Sequence, residues 1–221
     1  MKKVLGLFTA LLVCFGLAAC GSKLPAASVA SGERGAMFGV DKNIDEKTLD
    51  KYLGRKDTVY RDVRMLEDPA LYESIGGDRF LSGFVKGFEV VPYPYLGSLQ
   101  QLPVSNAYNG DKLYTVIWDE KGNITAATAN YRESLDILKF LFPQDKNIFL
   151  MCGGAGYAGM TKKLLVYLGW NASKVYNVGG YWYYEGKNKV EVKRANGNNF
   201  EYDFYKVAYH DISFASLTPA N

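Results

Sequence analysis

The run from Asn147 to Gly169 constrains the fold most. Ile148, Phe149, Leu150 and Met151 lead into Cys152, and a glycine-rich loop follows. An apolar run bounded by a polar residue and glycines predicts a buried strand, and Met160 to Gly169 carries apolar residues at helical spacing. Cys152 therefore falls where a strand becomes a loop and the loop a helix. The first N–H groups of a helix have no intrahelical partner and its dipole favours negative charge, so a thiolate here is expected below its free pKa of about 8.5.

The rest of the chain singles out the same cysteine. Lys2 and Lys3, the apolar run from Val4 to Leu17, and then Ala18, Ala19 and Cys20 have the order of a bacterial lipoprotein signal. That order predicts removal of residues 1–19 and lipidation of Cys20 with palmitate-type chains. The mature protein is then exported and anchored to a membrane of the cell envelope. The apolar run is too short to span a membrane, and no later run reaches that length. Cys14 lies in the discarded segment and Cys20 would be blocked by lipid, so Cys152 is the free thiol of the mature chain. A lone thiol in an oxidising compartment is either buried or used. Formal net charge is +3, and +1 without Lys2 and Lys3, too small a balance for nucleic-acid binding.

Residues 20–40 are small, polar and patternless, as in a flexible membrane tether. Over 43–54, a capping Asn43 or Asp45, the shared face of Leu49, Tyr52 and Leu53, and a closing Gly54 predict a short amphipathic helix. Thr58 to Arg64 is β-rich. Asp68 as a cap, Pro69 at the first helical position and Gly76 with Gly77 as a stop predict a helix over 68–75. Phe88 to Tyr93 is another short strand. The segment 94–130 interrupts this order with a strand from Leu113 to Trp118, a turn, and a return strand, an inserted hairpin or loop excursion. Tyr131 to Phe142 predicts a helix with Leu135, Leu138 and Leu141 or Phe142 on one side, closed by Pro143. Lys174 to Gly180 is a further buried strand. Alternating strands and helices over 41–187 imply an α/β domain with a mainly parallel sheet. The tail, 188–221, alternates apolar and polar residues around Asn196 and Gly197, as in an appended β-hairpin. His210 is the one histidine. No spacing ties it to Cys152, and it is read as a structural or surface residue.

Three chemistries compete on the loop. Gly154, Gly156 and Gly159 match G-x-G-x-x-G between a strand and a helix, but the next strand ends without the acid that a dinucleotide ribose needs. Phosphate-ester or arsenate chemistry at a Cys-x5-Arg loop needs an arginine where Ala158 stands. Sulfur transfer needs a cradle for a small anion, and Gly153, Gly154 and Gly156 allow successive N–H groups to turn inward.

The third chemistry carries a resemblance. From about Ile44 to Trp182 the chain resembles a rhodanese domain. Asp62, Val63 and Arg64 stand where that family has its strand-terminal Asp-x-Arg. Leu81 to Phe88 is similar to the Gly-His-Ile-x-Gly-Ala segment, with Phe84 in place of the histidine. Asn147 to Cys152 matches the strand that carries the active cysteine, and Val175 to Trp182 matches the strand with its Gly-Gly-x-Trp finish.

The resemblance implies an α/β fold with a mostly parallel five-stranded sheet flanked by helices, bearing the 94–130 excursion and the 188–221 β-hairpin as additions. It implies that Cys152 accepts a sulfane sulfur from a donor such as thiosulfate or a persulfide and passes it to a thiol acceptor. The surrounding substrate-binding residues would be Gly153, Gly154, Ala155, Gly156, Tyr157, Ala158 and Arg64. Neither cofactor nor metal is expected. The partners are a small sulfur-containing substrate, the membrane through the Cys20 lipid, and an envelope protein. Family members commonly carry a basic residue in the loop and this one has none, with Arg64, Lys86, Lys162 and Lys163 as candidate substitutes. A non-catalytic rhodanese-like binding module is therefore the alternative expectation.

Overall fold

The computed structural model describes residues 23–30 and 38–220. The signal-like segment and Cys20 lie outside the described residues. In chain order the strands are β1 (Val29–Ala30), β2 (Val40–Asp41), β3 (Thr58–Asp62), β4 (Gly83–Val85), β5 (Glu89–Val90), β6 (Tyr114–Trp118), β7 (Ile124–Ala129), β8 (Asn147–Cys152), β9 (Val175–Gly180), β10 (Lys189–Glu191), β11 (Lys193–Asn196) and β12 (Asn199–Tyr202). The α-helices are α1 (Tyr93–Leu96), α2 (Ser134–Leu141) and α3 (Gly156–Tyr167).

The central sheet is parallel throughout, with four strands in the order β5, β3, β8, β9. A parallel sheet is covered on both faces, so its inner strands must be apolar on both. β8 meets that demand by alternation. Ile148 and Leu150 enter one core with Leu138, Leu141, Leu164 and Leu165, and Phe149 and Met151 enter the other with Tyr60, Tyr176 and Val178. α3 is the crossover between β8 and β9, a connection that parallel neighbours require.

Five strands were expected in this sheet and four are found. β2 lies alongside β9 without joining its ladder. The link is a side chain, because the Asn177 Nδ2 donates to the Gly39 carbonyl at 2.7 Å. β2 pairs instead with β1, so part of the stretch read as a flexible tether is docked. Leu24 and Ala27 pack on the core, and the Tyr176 hydroxyl donates to the Pro25 carbonyl at 2.8 Å.

Two expected helices shrink to single 3-10 turns. Over 43–54 only Leu49–Tyr52 is helical, since the Asp45 carboxylate closes a local turn on the N–H groups of Lys47 and Thr48. Asp68 likewise closes a turn on the Ala70 N–H at 2.9 Å rather than capping a helix. The helical turn there is Tyr72–Ile75, stopped by Gly76 in the left-handed conformation. α2 buries Ser134, Leu138 and Leu141, while Leu135 faces outward.

The 94–130 excursion contains the antiparallel β6–β7 hairpin, whose turn is held by Asp119 accepting from the N–H groups of Lys121 and Asn123. In the tail, β11 and β12 form the hairpin around Gly197, at φ +59. β10, expected to begin that hairpin, pairs antiparallel with β4 instead. Val192 and Val207 bury against Leu81, Phe84 and Val90, which anchors the extension. The chain end then folds back, with the Arg132 N–H donating to the Thr218 carbonyl and the Ala220 N–H to that of Asn130, both at 2.9 Å. Among the described residues no helix is long and apolar enough to cross a membrane.

Candidate active site at Cys152

β8 delivers Cys152 at its carboxyl end, the edge at which open parallel sheets receive ligands. Gly153, Gly154 and Ala155 make the turn into α3. Ala155 takes the left-handed conformation, φ +72, and offers no side-chain cap. The first N–H groups of α3 are therefore open to another acceptor. Those of Tyr157 and Ala158 act on the Cys152 sulfur.

The glycines have a more local reason than an anion cradle. Trp182 lies against the loop, so a Cβ at Gly153 would stand 2.5 Å from its Cζ2 and one at Gly154 would stand 3.1 Å from its Cζ3. The Trp182 N–H also donates to the Gly153 carbonyl at 3.2 Å. At Gly180 a Cβ would collide with that same carbonyl. Close approach thus favours glycine at 153, against the Trp182 ring, and at 180, against backbone. Gly156 meets nothing within 4 Å and has no such requirement.

Arg64 lies beside the thiol. Its side chain is 8% exposed, with Nε donating to Asp62 Oδ1 at 2.9 Å and Nη2 to Asp62 Oδ2 at 2.5 Å. Nη2 also donates to the Gly83 carbonyl at 2.7 Å, and the guanidinium sits 4.5 Å from the Tyr181 ring centroid. Burial opposes its charge, but the Asp62 carboxylate, with Cys152 and Tyr181, together outweigh burial and hold the pKa above the ordinary arginine value. Nη1 is buried and has no hydrogen-bond partner. A buried donor left unmade costs about 1–3 kcal/mol, so an acceptor reaching Nη1 would recover that cost.

The thiol departs from expectation. Cys152 is 3% exposed, and burial pushes its pKa up to about 11. The Ala158 N–H pulls it down, the Asp62 charge pushes it further up, and Arg64 and the Tyr157 N–H pull it down again. Desolvation outweighs the helix start. Cys152 is a protonated thiol at neutral pH.

Above Cys152 opens a cleft of about 430 Å³, whose lining includes Arg64, Gly153, Gly154, Gly156 and Tyr157. Ala155 and Ala158 do not line it, and Ala158 contributes its N–H alone. The expected substitutes Lys86, Lys162 and Lys163 stand away from the cleft, and Lys163 donates to Asn123 Oδ1 at 3.1 Å. His210 is elsewhere too, 2.8 Å from Glu89 Oε2, the oxygen that also pairs with Arg61. Among the described residues no cluster of His, Cys, Asp or Glu is arranged to hold a metal ion.

Several lining residues escaped sequence reasoning. Asp68 is buried and accepts from the Tyr157 hydroxyl at 2.8 Å across 89 positions of chain, a pairing that no local pattern announces. Tyr72 packs edge-on against both Tyr157 and Trp182. Arg79, paired with Glu67, is the cation at the mouth. The excursion supplies a wall through Gln100, Gln101, Leu102 and Pro103. The signal for that wall was the excursion itself, which had no place in a minimal α/β pattern.

No protein-family model matches the chain, and neither a curated protein nor a solved structure matches it. The site therefore rests on its own geometry.

Proposed function

We propose that the protein is a rhodanese-like sulfur carrier in which Cys152 accepts a sulfane sulfur and hands it on. The observation that carries this is the convergence of two helix-start N–H groups and the Arg64 guanidinium on a cysteine at the base of an open cleft. In the loading step the Cys152 thiol gives up its proton to solvent, and the resulting thiolate attacks the outer sulfur of a persulfide R–S–SH. The donor S–S bond breaks, R–S⁻ leaves with the electron pair and takes up a proton, and Cys152 holds the persulfide. An acceptor thiolate then attacks that outer sulfur and returns Cys152 to thiolate. No oxidant or reductant enters. Amide N–H groups and a paired arginine stabilise the sulfur anion while it is charged. With the lipoprotein pattern ending at Cys20, the proposal includes lipid anchoring in the cell envelope.

A second reading, a binding module without catalysis, is favoured by one observation, the thiol raised to about 11 by burial. Mass spectrometry of the protein after exposure to glutathione persulfide and to thiosulfate separates the two. The carrier gains one sulfur that is absent from Cys152→Ser. Absence of the adduct at pH 7 and at pH 10 alike would leave the binding module as the function.

A further inference from the structure

The cleft has more apolar wall than a small inorganic sulfur anion can use. Its volume of about 430 Å³ falls in the range of pockets for organic ligands, about 300–1,000 Å³. Phe38, Met65, Leu102, Pro103, Met160 and Trp182 present carbon to the opening. The Leu102 and Pro103 part of this wall comes from the excursion, outside the central sheet. A ligand of a few atoms at Cys152 would leave most of that surface uncovered.

The floor sets the other end of the ligand. Two of the three Arg64 nitrogens are taken up by Asp62 and the Gly83 carbonyl, and the Asp62 carboxylate balances the charge. What remains for a ligand is Nη1, buried and unpartnered, with little net positive charge behind it. Asp68 and Asp78 also line the cleft, and Arg79 at the mouth is already paired with Glu67 and Glu73. A dianion here would lose its hydration without gaining a neutralising partner. A single spread charge needs only the donors that Nη1 offers.

We infer that the cleft takes an organic monoanion, with an aromatic or alkyl body against Trp182 and the Leu102 wall and its anionic head on Arg64 Nη1, beside Cys152. The inference rests on the sulfur-carrier reading only in calling this ligand a donor. On that reading the donor is an organic persulfide rather than thiosulfate.

The test uses inert sulfonates, so binding is read without sulfur chemistry. Calorimetry on the full-length protein in detergent, with a protein-free detergent blank, compares naphthalene-2-sulfonate with methanesulfonate and naphthalene-1,5-disulfonate. The monoanionic aromatic is expected to bind about tenfold or more tighter than either, since it alone combines the apolar body with one charge. Leu102→Glu, and Gln101→Glu at an exposed position on the same wall, each weaken it by about fivefold or more. Methanesulfonate or the disulfonate binding as tightly as the monosulfonate would overturn the inference, as would indifference to both wall variants. If naphthalene-2-sulfonate binds as expected and Cys152 takes sulfur from no donor, the carrier reading fails and this one stands. If Cys152 takes sulfur from thiosulfate and the aromatic does not bind, the reverse holds.

Discussion

Trp182 lies across Gly153, the residue next to Cys152, and returns its backbone N–H to the Gly153 carbonyl at 3.2 Å. The ring and the loop therefore fix each other, and the cysteine inherits its position from a residue thirty places further along the chain.

Gly153→Ala tests this directly. The new Cβ would stand 2.5 Å from Trp182 Cζ2, and overpacking of that kind costs about 1–3 kcal/mol. Urea denaturation should show the loss, and Trp182→Ala should absorb most of it when the two are combined. Strict additivity of the two changes would mean that the ring does not set the loop.

The Asp62–Arg64 pair is the next place where one change should propagate. Asp62 is fully buried, so Arg64→Ala leaves its charge uncompensated at a cost of about 3–5 kcal/mol. Replacing both together, as Asp62→Leu with Arg64→Met, removes the stranded charge and should recover most of that loss. A double variant as unstable in denaturant as Arg64→Ala alone would show that the pair has a structural role beyond charge balance.

How much of this was legible in the sequence follows from the range of each interaction. β8 is bounded as Asn147–Cys152 because its signal is local, an apolar run ending in glycine. α3 begins at Gly156, earlier than the apolar spacing from Met160 indicated, because Ala155 turns the chain without any capping side chain. The helices over 43–54 and 68–75 failed because Asp45 and Asp68, read as caps, use their carboxylates to close turns. At the site, Cys152 and Arg64 were legible as residues, but the thiol's protonation was not. Helix-start arguments are local, whereas desolvation comes from everything packed around the sulfur. The Tyr157–Asp68 bond and the excursion's wall depend on chain segments far apart, and no spacing rule reaches them.

The raised thiol predicts an unusual pH profile. A free cysteine approaches its maximal alkylation rate once pH passes about 8.5. Cys152, pushed up to about 11, should react with iodoacetamide about tenfold faster for each unit of pH until that value. Stability follows the same group. The folded state keeps a proton that the unfolded chain releases, so the contribution is whole below the ordinary cysteine range and is lost as pH rises through about 11. Between those limits denaturation midpoints should fall with pH in the wild type and less so in Cys152→Ser. An alkylation rate that levels off near pH 8 would show that the sulfur is not desolvated as described.

Tyr157→Phe isolates the polar network at the cleft wall. The Tyr157 hydroxyl donates to Asp68 Oδ2 at 2.8 Å, and burial already holds the Asp68 pKa above the ordinary carboxylate value. Removing the donor leaves a buried carboxylate oxygen short of a partner, at a cost of about 1–3 kcal/mol near neutral pH. It also raises the Asp68 pKa further, since the hydroxyl favours the charged form. A group whose pKa is raised by folding contributes stability that is present at acid pH and lost as pH rises through the folded value. The variant, with the higher folded pKa, should therefore draw closer to the wild type as pH falls toward 4 and Asp68 becomes protonated in both. Urea midpoints at about pH 7 and about pH 4 read the difference. A gap of equal size at both would mean that the hydroxyl contributes through packing alone, and that the Asp68 charge has no part in holding this wall of the cleft.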